Sequence, residues 1–294
     1  MNWIVLSLAT AFLTALSALM NKKALRYWSE PVLLLTSSSL LAVLLFSVSG
    51  GFDVSQKFYI YLPISVGLHL CASVLNLKAL KSDDLSLVFP LINLTPLFMF
   101  ITSPLIGNEF PRLITIPGIL LIVVGAYMLN VKSGDKNFFA PLKALWYSKG
   151  ARCMCGVAFF WSLAGNVDKL GVLHSSSSVW GASVKTGVAL LMLPIVIMKS
   201  RSNRKHNVPA DTAKRNRSAW IFLLAIPLIL SINIICNMEA YKLTLAINVV
   251  SVKRLSGLFS VLLAWWVLGE KNIRQRMGAA AVMVAGVLWV GFAP

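Results

Sequence analysis

Residues 251–270 read SVKRLSGLFSVLLAWWVLGE, and residues 90–109 read PLINLTPLFMFITSPLIGNE. Each stretch is mostly apolar and ends in a glutamate, and a shift of 161 positions places one on the other. The shift aligns residues 78–130 with residues 239–291 without a gap. In both segments a basic residue, an apolar run, a glutamate, a short loop and a second apolar run follow in the same order. This shared order indicates an internal repeat.

The rest of the chain consists largely of similar apolar runs. Of its 294 residues, 57% are hydrophobic and 13% are charged, whereas a soluble domain carries about 25% charged residues. A helix that spans a bilayer needs about 20 mostly apolar residues. Ten such runs are present, at roughly 2–21, 31–49, 58–77, 85–106, 113–131, 151–168, 176–198, 219–240, 245–268 and 274–293.

The repeat divides the ten spans into two sets of five. Because five is odd, the second set enters the membrane from the opposite side. We therefore predict an all-α polytopic membrane protein with ten transmembrane helices, arranged as two inverted five-helix repeats around a central cavity. The first repeat covers residues 1–131, a basic linker covers 132–149, and the second repeat covers 150–294. This architecture is typical of secondary transporters.

The net charge of +17 is distributed unevenly between the two sides of the predicted bundle. Loops on one side carry 20 basic residues, and loops on the other side carry four. The positive-inside rule places the first side in the cytoplasm and both termini outside it, in a multi-pass protein of the cell (inner or plasma) membrane. The basic loop 199–218 contains no aromatic residue, so a nucleic-acid partner is not expected.

Three further basic residues, Lys185, Lys253 and Arg254, lie inside predicted spans. Such a residue at mid-membrane costs about 2.5–3.5 kcal/mol and normally faces the bundle interior or a water-filled cavity. Asp168 falls at the end of its predicted span, so the cavity is expected to be net positive and to favour anionic or carboxylate-bearing solutes. In the alternative interpretation, these cations bond backbone carbonyls and hold spans together.

The fourth and ninth spans supply further candidates for a substrate site. Asn93 matches Arg254 under the shift, and Ser256 follows in the same segment. Pro90 and Pro96 predict a bent or broken fourth span, and irregular segments at matching places in two repeats point to a binding site.

His69 and Trp161 are weaker candidates for the same site, since each is a polar or amphipathic side chain inside an apolar run. A histidine in a span can relay protons near neutral pH, and it can equally serve as a hydrogen-bonded packing residue. Coupling to protons or to a counter-solute is compatible with the sequence.

Motifs for enzymatic chemistry are missing from the sequence. It contains no Walker A lysine in a glycine loop, no H-E-x-x-H or comparable set of metal ligands, and no G-x-S-x-G turn. We therefore expect neither an enzyme nor an ATP-driven pump, and no cofactor or bound metal.

Four short segments of the second half carry a resemblance to a known family. They read SVKRLSGLF at 251–259, WVLGEK at 266–271, RMG at 276–278 and AGV at 285–287. A leucine, glycine and glutamate followed by a short loop, a glycine and a final apolar span resembles the ending of EamA-type members of the drug/metabolite transporter superfamily. Asn108 replaces the glycine that usually precedes the equivalent glutamate of the first half, Glu109.

The resemblance implies a basket of helices around a central cavity that works by alternating access. Family members move amino acids, drugs, sugars or other metabolites, often outward. They are generally drawn with both termini in the cytoplasm, which is the reverse of the orientation that the loop charges predict.

The sequence therefore predicts a secondary, non-ATP transporter that exports a small organic metabolite, with anionic and amino-acid-like solutes as the favoured classes. Its expected partners are this solute and the lipid bilayer, and a homo-oligomer is compatible with the sequence. A flippase for lipids or polyprenyl lipids, or a channel-like facilitator, is the alternative. A flippase would need a lateral opening to lipid, and a channel would show rates far above those of alternating access.

Overall fold

The computed structural model describes residues 2–24, 27–82, 89–130, 148–205, 217–259, 263 and 273–292, and within these ranges the chain is helical without strands. The predicted basic linker 132–149 lies outside the described residues except for its last two positions. In chain order the α-helices are α1 (Asn2–Ala24), α2 (Glu30–Ser47), α3 (Phe58–Ser82), α4 (Thr95–Gly107), α5 (Ile116–Asn130), α6 (Lys149–Leu173), α7 (Ser177–Lys205), α8 (Arg217–Leu243), α9 (Ala246–Lys253) and α10 (Ile273–Phe292). The 3₁₀ segments Phe89–Leu94 and Leu113–Thr115 lead into α4 and α5.

Many of the helices are apolar enough to lie in a membrane. Among the described residues, four helices contain a stretch that is long enough to cross it, and these stretches are Asn2–Asn21, Phe58–Asn76, Ser177–Met198 and Trp220–Leu243. Shorter apolar stretches of 10–17 residues are Pro31–Ser47, Leu91–Gly107, Leu113–Met128 and Gly278–Val290. The prediction of an all-helical, multi-pass membrane protein is confirmed at this level.

The polarity of the surface agrees with a lipid environment. Large apolar side chains are strongly exposed, among them Leu105 at 79%, Leu113 at 84% and Met198 at 71%. Several small polar side chains are instead buried, and of these Ser162 and Ser251 each bond a carbonyl of their own helix. Apolar surface on this scale would be a liability in water, whereas in lipid it costs nothing.

Helix pairs from the two halves of the chain form the body of the molecule. The most extensive contacts join α3 to α6, α5 to α10, α1 to α8 and α2 to α7. In addition, α4 packs on α6, and α9 packs on α1. Every one of these pairs crosses the boundary between the halves, so neither half forms a separate core.

Two glycines set the distance between α5 and α10. A Cβ atom added at Gly286 would lie 2.6 Å from the carbonyl oxygen of Gly118 and 2.8 Å from Cγ1 of Ile122. A Cβ atom added at Gly118 would lie 2.9 Å from the carbonyl oxygen of Gly286. The backbones therefore approach closely at this point, as small residues allow between membrane helices. Gly278, on the same helix as Gly286, has no atom within 4 Å of such a Cβ.

We predict that Gly286→Val lowers the stability of the protein, whereas Gly278→Val leaves it close to that of the parent. Overpacking a close contact costs about 1–3 kcal/mol because backbone or side chains must shift. The melting temperature of each purified variant in detergent measures the difference. Equal melting temperatures for the two variants would contradict the close approach.

Candidate functional site

The fourth and ninth spans are both irregular, and at matching places. The 3₁₀ segment Phe89–Leu94 passes into α4 at Thr95. Helix α9 ends at Lys253 and is followed by a turn, in which the amide of Leu255 donates to the carbonyl of Val252 at 3.0 Å. Leu94 and Leu255 correspond under the shift of 161 positions. The turn at Arg254 and Leu255 interrupts the helical conformation within the apolar run that begins at residue 245.

The turn after α9 holds the two cations of the ninth span inside the bundle. Arg254 is 8% exposed, and among the residues that the structure describes its Nε has no hydrogen-bond partner. Lys253, the last residue of α9, is half-buried, and so is Lys185 on α7. Because α9 is short, its C-terminal end with these cations lies within the protein and not at its surface.

A carboxylate that was expected at the end of a span lies among these helices. Asp168 is 4% exposed on α6. Its carboxylate accepts hydrogen bonds from Ser65 Oγ at 2.5 Å and from Trp180 Nε1 at 3.1 Å. His69 Nε2 lies 3.0 Å from the other carboxylate oxygen. The apolar run stops at 168, but α6 continues to Leu173, and this continuation places Asp168 more than a turn inside the helix.

Asp168 interacts electrostatically with the two half-buried lysines. Its charge acts on both Lys185 and Lys253. We call the five residues His69, Asp168, Lys185, Lys253 and Arg254 the central cluster. The cluster contains two lysines, an arginine and one carboxylate, so the interior has mixed charge with a positive excess. This corrects the expectation of an interior without acidic groups.

Three predicted site residues lie outside the central cluster. Asn93 donates from Nδ2 to the carbonyl of Ala126 on α5, at 3.3 Å. Trp161 is a residue of α6, and its side chain packs against a small apolar core that includes Met154. Ser256 is half-buried, two residues after Arg254.

A cavity of about 490 Å³ opens at one end of the bundle. We call it the mouth pocket, and its lining includes Trp3, Arg112, Lys169, Lys242, Asn248 and Val290. Three of the four basic residues on the sparsely basic side of the bundle thus meet in one place. Counting charges by loop could not reveal this, because the count does not say which loops are neighbours.

An ion pair closes one wall of the mouth pocket. Lys169 pairs with Glu109 and also donates to the carbonyl oxygen of Thr244 at 2.6 Å. Glu109 accepts from the amide of Ala246, the first residue of α9, at 3.1 Å. A carboxylate at this position stabilises the N-terminus of a helix, so Glu109 fixes the start of α9. Within the described ranges, no group of three or more His, Cys, Asp or Glu residues could hold a metal ion.

Comparisons with known proteins identify a matching family model and a similar fold. The sequence model of the EamA-like transporter family matches residues 1–131 and again residues 148–292. A protein crystal structure superposes on 98% of this chain and 95% of its own, with a TM-score of 0.74 and 16% sequence identity. At this identity the likeness shows the fold alone. No curated protein matches the chain.

We predict that Asp168→Asn destabilises the protein much more than Glu239→Gln. Each substitution removes one charge and keeps the shape of the side chain. Asp168 is enclosed by three donors, and hydrogen bonds to a charged group contribute about 1.5–3 kcal/mol each. The side chain of Glu239 is 43% exposed and pairs with Lys242, so its charge contributes about 1 kcal/mol or less. Thermal unfolding of the purified variants measures both effects, and equal losses would contradict the enclosed carboxylate.

Proposed function

The chain belongs to the EamA-like transporter family, and on this basis we propose that it is a secondary transporter that exports a small organic metabolite by alternating access. Family membership establishes a membrane transporter of the drug/metabolite transporter superfamily. The substrate class, the direction and the mechanism are the parts that we propose. Anionic and amino-acid-like solutes are the favoured substrates.

We propose two inverted five-helix repeats around a central cavity, and the pattern of helix contacts supports the repeat. Exchanging each helix with the one five places along the chain turns the pair α3–α6 into α8–α1, and both pairs are extensive. The same exchange maps the pairs α2–α7 and α5–α10 onto themselves. The two separate family matches, over 1–131 and 148–292, divide the chain in the same way.

The central cluster is the proposed substrate site, and the buried guanidinium of Arg254 is the observation that carries this proposal. Within the described part of the chain its Nε is an unpaired donor, although a buried donor without a partner costs about 1–3 kcal/mol. A carboxylate on a substrate would accept from this donor and balance the positive excess of the cluster. Lys253 and Lys185 lie on the two helices α9 and α7, so a bound anion would be held from more than one helix.

Ser256, Asn93 and Trp161 complete the proposed site. Ser256 follows Arg254 in the irregular ninth span, and Asn93 is the residue of the fourth span that corresponds to Arg254. Trp161 precedes Asp168 by seven residues on α6, which places the two side chains on the same face of the helix two turns apart.

We predict that Arg254→Ala and Lys253→Ala lower transport by at least about 10-fold, which corresponds to the loss of one charge-assisted hydrogen bond. Thermal shift of the parent protein against organic acids and amino acids selects the solute, and its flux is then measured in proteoliposomes. An imposed proton gradient and a preloaded solute, applied separately, distinguish proton coupling from exchange.

Lys57→Ala is the matched control, because Lys57 is an exposed cation on a loop. It should transport like the parent. Normal flux in both interior variants would refute the site. Loss of both variants from the membrane would instead support the alternative in which these cations hold the spans together.

We further propose that the basic loops face the cytoplasm and that both termini lie outside it. The mouth pocket gathers the N-terminal Trp3, the C-terminal Val290 and the loop residue Arg112 at one end of the bundle. The loop at Ser55 joins the end of α6 through a hydrogen bond from its amide to the carbonyl of His174. All four sparsely basic loops therefore share the end that carries the termini.

An alkaline phosphatase fused after Pro294 should be active in intact cells, because this enzyme becomes active only after export. A green fluorescent protein fused at the same place should be dark, because it does not fold after export through the general secretory route. The reverse pattern would place the termini in the cytoplasm.

A further inference from the structure

We propose that Glu109 and Lys169 form a gate at the end of the bundle that carries the termini. Their ion pair is closed in this structure and would open once in each transport cycle. The gate rests on the proposed transport function, to which it adds a moving contact. Neither residue belongs to the central cluster.

The gate joins separate segments of the chain. Glu109 lies in the loop between α4 and α5, in the first half, whereas Lys169 lies on α6, in the second half. The Oε1 atom of Glu109 pairs with Nζ of Lys169, and its Oε2 atom accepts from the amide of Ala246 at 3.1 Å. Lys169 also donates to the carbonyl oxygen of Thr244 at 2.6 Å. Both partners of the Glu109 carboxylate therefore belong to the opposite half.

The backbone of Glu109 is attached to the end of α4. This helix ends at Gly107, and Asn108 follows in a left-handed conformation with a φ of 51°. The amides of Asn108 and Glu109 both donate to the carbonyl oxygen of Ser103, so they satisfy an acceptor at the helix end. Glu109 should therefore follow α4 when it moves. Opening the gate would release this end of α4 from Lys169 and from the start of α9.

Two neighbouring residues of α6 differ in how easily their bonds can be released. Asp168 is 4% exposed and accepts from Ser65 on α3 and from Trp180 on α7. The side chains of Lys169 and Glu109 are 12% and 15% exposed, and Lys169 lines the mouth pocket. Water can reach Lys169 when the ion pair breaks, whereas breaking the bonds of Asp168 would leave a buried charge without partners. The pair of Lys169 and Glu109 is therefore the contact that α6 can release.

The gate also holds the helix that carries a cation of the central cluster. Ala246 is the first residue of α9, and Lys253 is the last. The eight residues of α9 span about 12 Å, so one short helix connects the gate to the proposed substrate site. Opening the gate would free the start of α9 and let this helix move together with an anion bound at its other end.

The first test measures the opening of the mouth and needs no solute. Nitroxide labels on Leu113→Cys and Leu173→Cys report the distance between the segment before α5 and the end of α6. Both leucines are suitable because they are 84% and 53% exposed. The four native cysteines are replaced by alanine in all variants. Pulsed electron paramagnetic resonance of the full-length protein in nanodiscs then gives the ratio of open to closed molecules.

Glu109→Gln and Lys169→Met should each raise the ratio of open to closed molecules at least about 10-fold, because each removes one charge of the pair. Glutamine keeps an acceptor for the amide of Ala246, so the start of α9 stays capped. The double variant should open no further than either single variant, because both substitutions remove the same interaction.

Glu239→Gln is the matched control for this experiment. It breaks a second pair of a glutamate and a lysine at the same end of the bundle. Glu239 and its partner Lys242 both lie on α8, so this pair does not connect the two halves. The ratio of open to closed molecules should therefore equal that of the parent.

The second test closes the gate covalently. A bifunctional methanethiosulfonate reagent that joins Glu109→Cys to Lys169→Cys should abolish the flux of the solute that thermal shift selects. Reduction of the new disulfides should restore the flux, because the gate can then open again. A monofunctional methanethiosulfonate reagent on the same two cysteines should leave the flux of this double variant unchanged.

Equal ratios of open to closed molecules in the parent, Glu109→Gln and Lys169→Met would refute the gate, and so would normal flux in fully cross-linked protein. A lower melting temperature with an unchanged ratio, or loss of folded protein in both variants, would assign the pair a purely structural role. In these cases the transport proposal survives. If the ratio shifts as expected but the parent transports none of the solutes, the opening of the mouth stands and the transport proposal fails.

Discussion

The burial of the Asp168 carboxylate is the constraint on which the middle of the molecule depends. A charge in a medium of low polarity is tolerated only when donors surround it. Its partners Ser65 and His69 lie on α3, and its partner Trp180 lies on α7. One side chain therefore ties three helices together, and two of them belong to the second half of the chain. The extensive contact of α3 with α6 is the packing counterpart of this bond network.

The turn that interrupts the ninth span keeps its two cations, Lys253 and Arg254, inside the protein. A continuous helix would carry Lys253 and Arg254 along a path fixed by helical geometry, with successive side chains about 100° apart. Ending α9 at Lys253 gives the backbone a turn at Arg254 and allows both cations to stay inside the protein. The freed backbone groups are accommodated because they are buried in protein, which is the condition for irregular backbone at membrane depth.

Much of the fold could be predicted from the sequence, because repeated apolar runs of membrane length leave too few polar residues to cover a soluble protein. The cations Lys185, Lys253 and Arg254 could also be found, since a charge within such a run is conspicuous. Asp168 was misplaced because Lys169 follows it and ends the apolar run early, although the helix continues to Leu173. The mouth pocket could not be predicted, because its cations come from α6, from α8 and from the segment before α5, and only tertiary packing brings them together.

The two polar regions differ in how readily they can rearrange. The Asp168 network is enclosed, and separating its members would expose an unpaired charge to an apolar interior. Lys169 lines the mouth pocket, which opens at the surface, so water can reach this side chain when its bonds to Glu109 and to the carbonyl of Thr244 break. Glu109 comes from the first half of the chain, and Lys169 and Ala246 come from the second. In the alternating access that we propose, α3, α6 and α7 would therefore move as one unit around Asp168, although they come from different halves of the chain. The contacts at the mouth pocket are the ones that would rearrange.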